Sequence, residues 1–210
     1  FVEGVNLINN QNFDTFFKIK INKKNSELIF FENSALKLTQ YFDFGSDMII
    51  KDISKITSLK KEVVSKLISN SLLKIESLEE NIEKQYFENN NFRKIKKKFI
   101  HDVAEARIQE IAELILLNNI NLTGLFKKVR PVYLKIDDQS NLNCFKDSYV
   151  NFFSQSNFYK IKLMEENLLD KDMLYHEANK IAHFGWKKEA IPIAQNKRSL
   201  IARIFRSFFG

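Results

Sequence analysis

The feature that most limits what this chain can become is a run of three extended segments between residues 14 and 44. "TFFKIKIN" alternates partly, "SELIFFEN" carries a short apolar run, and "ALKLTQYFDF" alternates clearly. A two-residue period is a strand period, and Asn-Lys-Lys-Asn and Glu-Asn-Ser at the joins are turn chemistry. Three strands with joins this short predict an antiparallel meander, because a parallel return needs a crossover of a dozen or more residues.

Past Gly45 the period changes. "SDMIIKDISKI" is helical, and Ser58 reads as the N-cap of a second helix, "LKKEVVSKLISNSLL", with Val63, Val64, Leu67 and Ile68 on one face. Residues 77–91 are polar and show no clear period. One long helix is predicted from about Arg93 to Leu117, with Ile100, Val103, Ala104, Ile108, Ile111, Ala112 and Ile115 as its stripe and Gly124 as a stop. Pro131 opens a short strand, "VYLKI". "NCFKDSYVNFFSQ" is helical, "FYKIKL" is a strand, and "KDMLYHEANKIAHFG" is a last core helix. Strands, then helices, then a strand–helix return predict a mixed α/β domain with a helical insertion.

Composition narrows the function classes. The 44% of hydrophobic residues suits a packed core, and no apolar run approaches the roughly 18–20 residues of a spanning helix. The lone Cys144 excludes an internal disulfide framework and fits a reducing compartment. The chain starts on Phe1 and is expected to be part of a longer protein. Net charge is +7, but only 6 of the 33 basic residues are arginine, and "RKIKKK" (93–98) lacks the interleaved aromatics that stack on bases. A solvated lysine-rich surface is the reading, and no nucleic-acid partner is expected. His176 and His183 lie seven apart without a third ligand at suitable spacing, so no metal is expected. Cys144 has no local partner for nucleophilic chemistry, and no G-x-S-x-G, H-E-x-x-H or P-loop occurs.

The last residues, "NKRSLIARIFRSFFG", follow a polar linker over 185–198. Leu200, Ile201, Ile204, Phe205, Phe208 and Phe209 fill one half of a helix, and Ser199, Arg203, Arg206 and Ser207 the other. Such a face can dock on its own protein or on a membrane. A polar face without acids, on a flexible linker, favours anionic lipid, where each Arg near the surface adds about 1 kcal/mol.

Three stretches resemble the FtsA family of bacterial cell-division actins. The family's Gly, then Ile-Thr-x-Asp-Ile where a strand turns into a helix, is matched by Gly45, Ile49, Lys51, Asp52 and Ile53, with Ile50 in place of Thr. Its Glu-Ala-Arg-x-x-Glu helix is matched by Glu105, Arg107 and Glu110, and its amphipathic C-terminal helix by the tail. The resemblance runs over roughly residues 14–210. It implies the second half of an actin-like (ribonuclease-H-like) fold: sheet segment 1–50, inserted mostly helical subdomain 51–128, return sheet segment 129–184, linker 185–198 and membrane helix 199–210. It also implies a non-enzymatic tether. The helix bearing Lys97, Arg107 and Glu110 would take the C-terminal peptide of FtsZ, the tubulin-like division protein. The tail would hold anionic lipid of the inner membrane, at the cytoplasmic face of the division site, and the actin-like body would self-associate. Without the resemblance, Arg107 and Glu110 read as an i, i+3 surface pair.

The departures from the family concern nucleotide. Its phosphate loop, with an Asp and three Gly, aligns with Lys20, Asn22, Lys23 and Lys24 here, and its Thr-Gly-Gly-Gly aligns with Lys135, Ile136, Asp137 and Asp138. Glycines let backbone N–H groups approach a phosphate, and the Asp helps hold Mg²⁺. Side chains at these places would fill the space adenosine needs, so no cofactor is expected, and ATP with Mg²⁺ is the doubtful exception. Lys20, Lys23 and Lys24 offer phosphate only point charges without a cradle; the alternative is an ordinary polar turn. The rival functions are an active actin-like ATPase and a basic nucleic-acid-binding module.

Overall fold

The computed structural model of the chain describes residues 15–69, 77–87, 92–122, 129–138, 143–156 and 158–164. The expected last core helix with His176 and His183, the linker and the terminal amphipathic helix lie outside the described residues.

The three predicted strands are present: β1 (Phe16–Ile21), β2 (Ser26–Glu32) and β3 (Ala35–Phe42) form an antiparallel meander. The β2–β3 turn carries Asn33 and Ser34 at positive φ, 53° and 61°, the twist that closes a tight hairpin. Two later strands, β4 (Arg130–Ile136) and β5 (Tyr159–Leu163), complete one sheet in the order β3-β2-β1-β4-β5. β4 lies parallel to β1, and β5 parallel to β4. Each parallel junction is reached through helix: α1 (Asp47–Thr57), α2 (Lys61–Ser69) and α3 (Lys97–Ala112) between β3 and β4, and α4 (Lys146–Phe153) between β4 and β5. The expected α/β class with a helical insertion between sheet segments is the observed one.

The pleat sorts the strand residues. Phe17, Ile19, Ile21, Leu28, Phe30, Val132, Leu134 and Ile136 point to the face covered by all four helices, and join a core with Ile53, Leu67, Ile108 and Tyr149. Phe16, Ile29, Phe31 and Tyr133 point the other way and are also buried. Stacked pairs Phe17–Phe30 (4.5 Å) and Phe16–Phe31 (5.1 Å) sit at paired positions of β1 and β2, one on each face. β1, central in the sheet, is therefore apolar on both sides, which explains why its alternation is weak in the sequence.

Two local expectations are corrected. Ser58 does not cap the second helix; it ends α1 in the left-handed region (φ 60°), and α2 begins only at Lys61. Ser54 Oγ donates to Leu59 O (2.6 Å) and tightens that corner. The long helix starts at Lys97, not Arg93, because the preceding residues run extended beside 77–82. Ile82 N donates to Ile95 O, and the first helical N–H groups, Lys97 and Lys98, donate to Glu80 O (2.9 Å) and Leu78 O (2.8 Å). Backbone carbonyls thus cap α3 where no side chain does. At its other end, Glu113–Leu117 widens into a π turn that keeps Ile115 and Leu116 buried.

Candidate functional site

Two places collect the residues singled out in the sequence. The first is the end of the sheet where β1 and β4 finish. Lys20 and Lys135 are register partners on adjacent parallel strands, so their side chains stand side by side on the face away from the helices. Asp137 lies two residues past Lys135, and its N–H continues the ladder to Ile21 O (2.9 Å). Its carboxylate bridges both lysines: Oδ2 is 2.7 Å from Lys20 Nζ and Oδ1 is 3.7 Å from Lys135 Nζ. Lys135 is the most shielded of the three, its side chain 12% exposed.

The β1–β2 turn, Asn22 to Asn25, closes on itself and on α1. Asn22 N donates to Asn25 O (2.9 Å) and Asn22 Nδ2 to Asn25 Oδ1 (2.6 Å), while Lys23 and Lys24 stay exposed. The carbonyls of Asn22 and Lys23 accept from Ser46 N (3.0 Å) and Asp47 N (2.9 Å). Donors at the start of a helix, which could otherwise meet an anion, are thereby spent on the turn. Gly45 makes the approach possible: a Cβ there would lie 2.1 Å from Asn22 O and 2.9 Å from Asn25 N. Beneath, the buried Ser46 Oγ donates to Asp138 Oδ2 (2.9 Å). Tyr149 is fully buried, and its hydroxyl has no hydrogen-bond partner among the described residues; burial, and then the Asp138 charge, push its pKa up. All eight residues set against the resembled family's two nucleotide loops thus come to one end of the sheet, and three of them, Lys20, Lys135 and Asp137, form one ionic cluster.

The second place is the contact of α1 with α3. Arg107 Nε donates to Asp52 Oδ2 and its Nη1 to Glu110 Oε2. The sequence presents Arg107 as an exposed surface residue; it is about three-quarters buried, its side chain 23% exposed, because Asp52 of α1 draws the guanidinium across the helix contact. Lys97, the third residue expected to meet a partner peptide, pairs through Nζ with Glu80 (2.6 Å). Lys97 lies ten residues, nearly three turns, before Arg107 on the same helix.

A third cluster went unread. On α3, ligand atoms of His101, Asp102 and Glu105 lie within 4.8 Å of one another, and Ser148 Oγ from α4 donates to Glu105 Oε1 (3.0 Å). The His-x-x-x-Glu spacing was the available signal. Glu105, read as a motif residue, serves here as the polar tie between α3 and α4. Cys144 is half-buried with Sγ 3.8 Å from Ile68 O, and burial raises its pKa to about 11, so at neutral pH it is a packed thiol and no nucleophile.

No protein-family model and no curated protein sequence matches the chain. Solved structures do. The ethanolamine utilization protein EutJ from Carboxydothermus hydrogenoformans is 12% identical, with TM-score 0.48 over 77% of this chain and 47% of that one. Ta0583, an archaeal actin homolog, is 13% identical, with TM-score 0.47 over 86% and 54%. MreB 5 of Spiroplasma citri, solved with AMPPNP bound, is 11% identical, with TM-score 0.47 over 87% and 56%. The chain spans about half the length of the first of these structures. Strand order, strand direction and the helical insertion define the class by themselves: a mixed α/β domain on one five-stranded sheet, part antiparallel and part parallel.

Proposed function

We propose that the chain is the C-terminal part of an FtsA-like tether, which holds the tubulin-like division protein FtsZ to the cytoplasmic face of the membrane. One observation carries the reading. The two motif stretches that resemble the family, around Asp52 and around Arg107, lie 55 residues apart and meet through the Arg107–Asp52 ion pair. Residues matched only by sequence order form one unit in space. In this reading α3 and its Arg107–Glu110 pair present the surface for the FtsZ C-terminal peptide, with Lys97 at the start of the same helix. Residues 199–209 immerse Leu200, Ile201, Ile204, Phe205, Phe208 and Phe209 in the interface, while Arg203 and Arg206 face anionic headgroups. A helix this short is marginal in water, so the bilayer must stabilise it. One tail gives weak, reversible attachment, and self-association of the actin-like body multiplies it. ATP hydrolysis has no part in the reading, since Lys20 and Asp137 stand where the family has its Asp and a Gly.

Co-flotation on anionic liposomes tests the tether. The chain should float and carry FtsZ with it. A chain stopped at Lys197 should do neither, and Arg107→Glu should float without FtsZ. If the shortened chain floats as well as the intact one, the tail is not the anchor. If Arg107→Glu, folded, carries FtsZ undiminished, α3 is not the peptide surface.

A further inference from the structure

The cluster at the ends of β1 and β4 has the form of an anion seat with its occupant built in. Lys20 and Lys135, side by side through the register, would repel one another if left alone. The carboxylate between them contacts each ammonium with a different oxygen, 2.7 and 3.7 Å away. The main chain of Asp137 is fixed at the strand end by its own N–H on Ile21 O, which places the carboxylate within reach of both lysines. The one acidic residue opposite Lys20 on β2, Glu27, is turned to Tyr41, whose hydroxyl it raises in pKa. The next residue, Asp138, is likewise committed inward, to Ser46 at the start of α1. Lys23 and Lys24 add exposed positive charge at the same end.

We propose that Asp137 is an intramolecular plug in an oxyanion seat formed by Lys20 and Lys135, and that the seat takes a phosphate-type anion only when Asp137 is neutralised. The plug supplies from within the chain the charge balance that a bound anion would supply, so this end of the sheet is complete without ligand. Lysine suits the role, because a compact ammonium attracts any oxyanion without demanding a planar fork. The inference concerns the sheet end alone and stands or falls separately from the tether.

The experiment uses the full chain and its Asp137→Asn variant, titrated calorimetrically at low salt with inorganic pyrophosphate and, in parallel, with Mg-ATP. Pyrophosphate should bind the variant at least tenfold more tightly than the wild type, and Lys20→Met added to Asp137→Asn should return affinity to the wild-type level. Gain for pyrophosphate without gain for Mg-ATP is expected, because the Asn22–Asn25 turn on α1 leaves no cradle for a nucleoside. Circular dichroism checks the fold, and Asp137→Ser is the second variant. Equal affinities in wild type and variant, a gain that survives Lys20→Met, or tight binding by the wild type would each overturn the proposal. So would unfolding of both Asp137 variants, which would make the aspartate a structural tie and no plug.

Discussion

Replacing Gly45 by alanine isolates the contact that closes the sheet end. The added Cβ would stand 2.1 Å from Asn22 O, more than 1 Å inside an ordinary carbon–oxygen contact of about 3.2 Å, and 2.9 Å from both Asn25 N and Lys23 C. All three are backbone atoms of a turn that is itself hydrogen-bonded, so no side chain can swing aside. The turn must lift from α1, opening Ser46 N to Asn22 O and Asp47 N to Lys23 O. Two such bonds contribute about 1 kcal/mol each, and forced overpacking costs about 1–3 kcal/mol. Against this, alanine stiffens the unfolded chain and returns about 0.4–1 kcal/mol. The net is a loss of roughly 2–4 kcal/mol, a large share of the roughly 5–15 kcal/mol that holds a domain. Urea unfolding followed by circular dichroism reads it. With a slope of about 2 kcal/mol per molar, the midpoint should fall by about 1–2 M. A midpoint within about 0.3 M of wild type would mean the turn yields freely, and would refute the closed sheet end.

Two further outcomes follow from the helices. In a double-mutant cycle of Asp52→Asn and Arg107→Met, the coupling in unfolding free energy should be about 0.5–1.5 kcal/mol, above most exposed pairs because both partners are about three-quarters shielded; additive losses would remove the α1–α3 tie. Cys144 has its thiol pKa raised from 9.0 to about 11 by burial, so the folded state keeps a proton that the unfolded state releases. Its contribution is whole below pH 9 and is lost as pH rises from 9 to 11; Cys144→Ala should flatten that part of the stability profile, and alkylation of the native thiol at pH 8 should lag well behind a free cysteine.

What could be read from the sequence, and what could not, follows the range of the forces involved. β3 alternates legibly because it is an edge strand, and the period survives in its residues. β1 is blurred because both of its faces are buried. Its parallel pairing with β4 leaves no local trace: Lys20 meets Lys135 across 115 residues, and nothing near either position announces the other. Arg107 and Glu110 could be paired by helical spacing alone, but Asp52, which draws the guanidinium out of solvent, belongs to another helix. Ser58 misled because a serine ahead of a helical pattern usually caps it; here the α1–α2 corner demanded a left-handed residue, and the tertiary requirement won. The start of α3 misled for the same reason, since the carbonyls of Leu78 and Glu80 set it. The absence of glycine from the two loops was legible, yet it showed only what those loops had lost. That Lys20, Lys135 and Asp137 replace the loss with a contact of their own is a property of the register, and the register becomes visible only once the sheet is assembled.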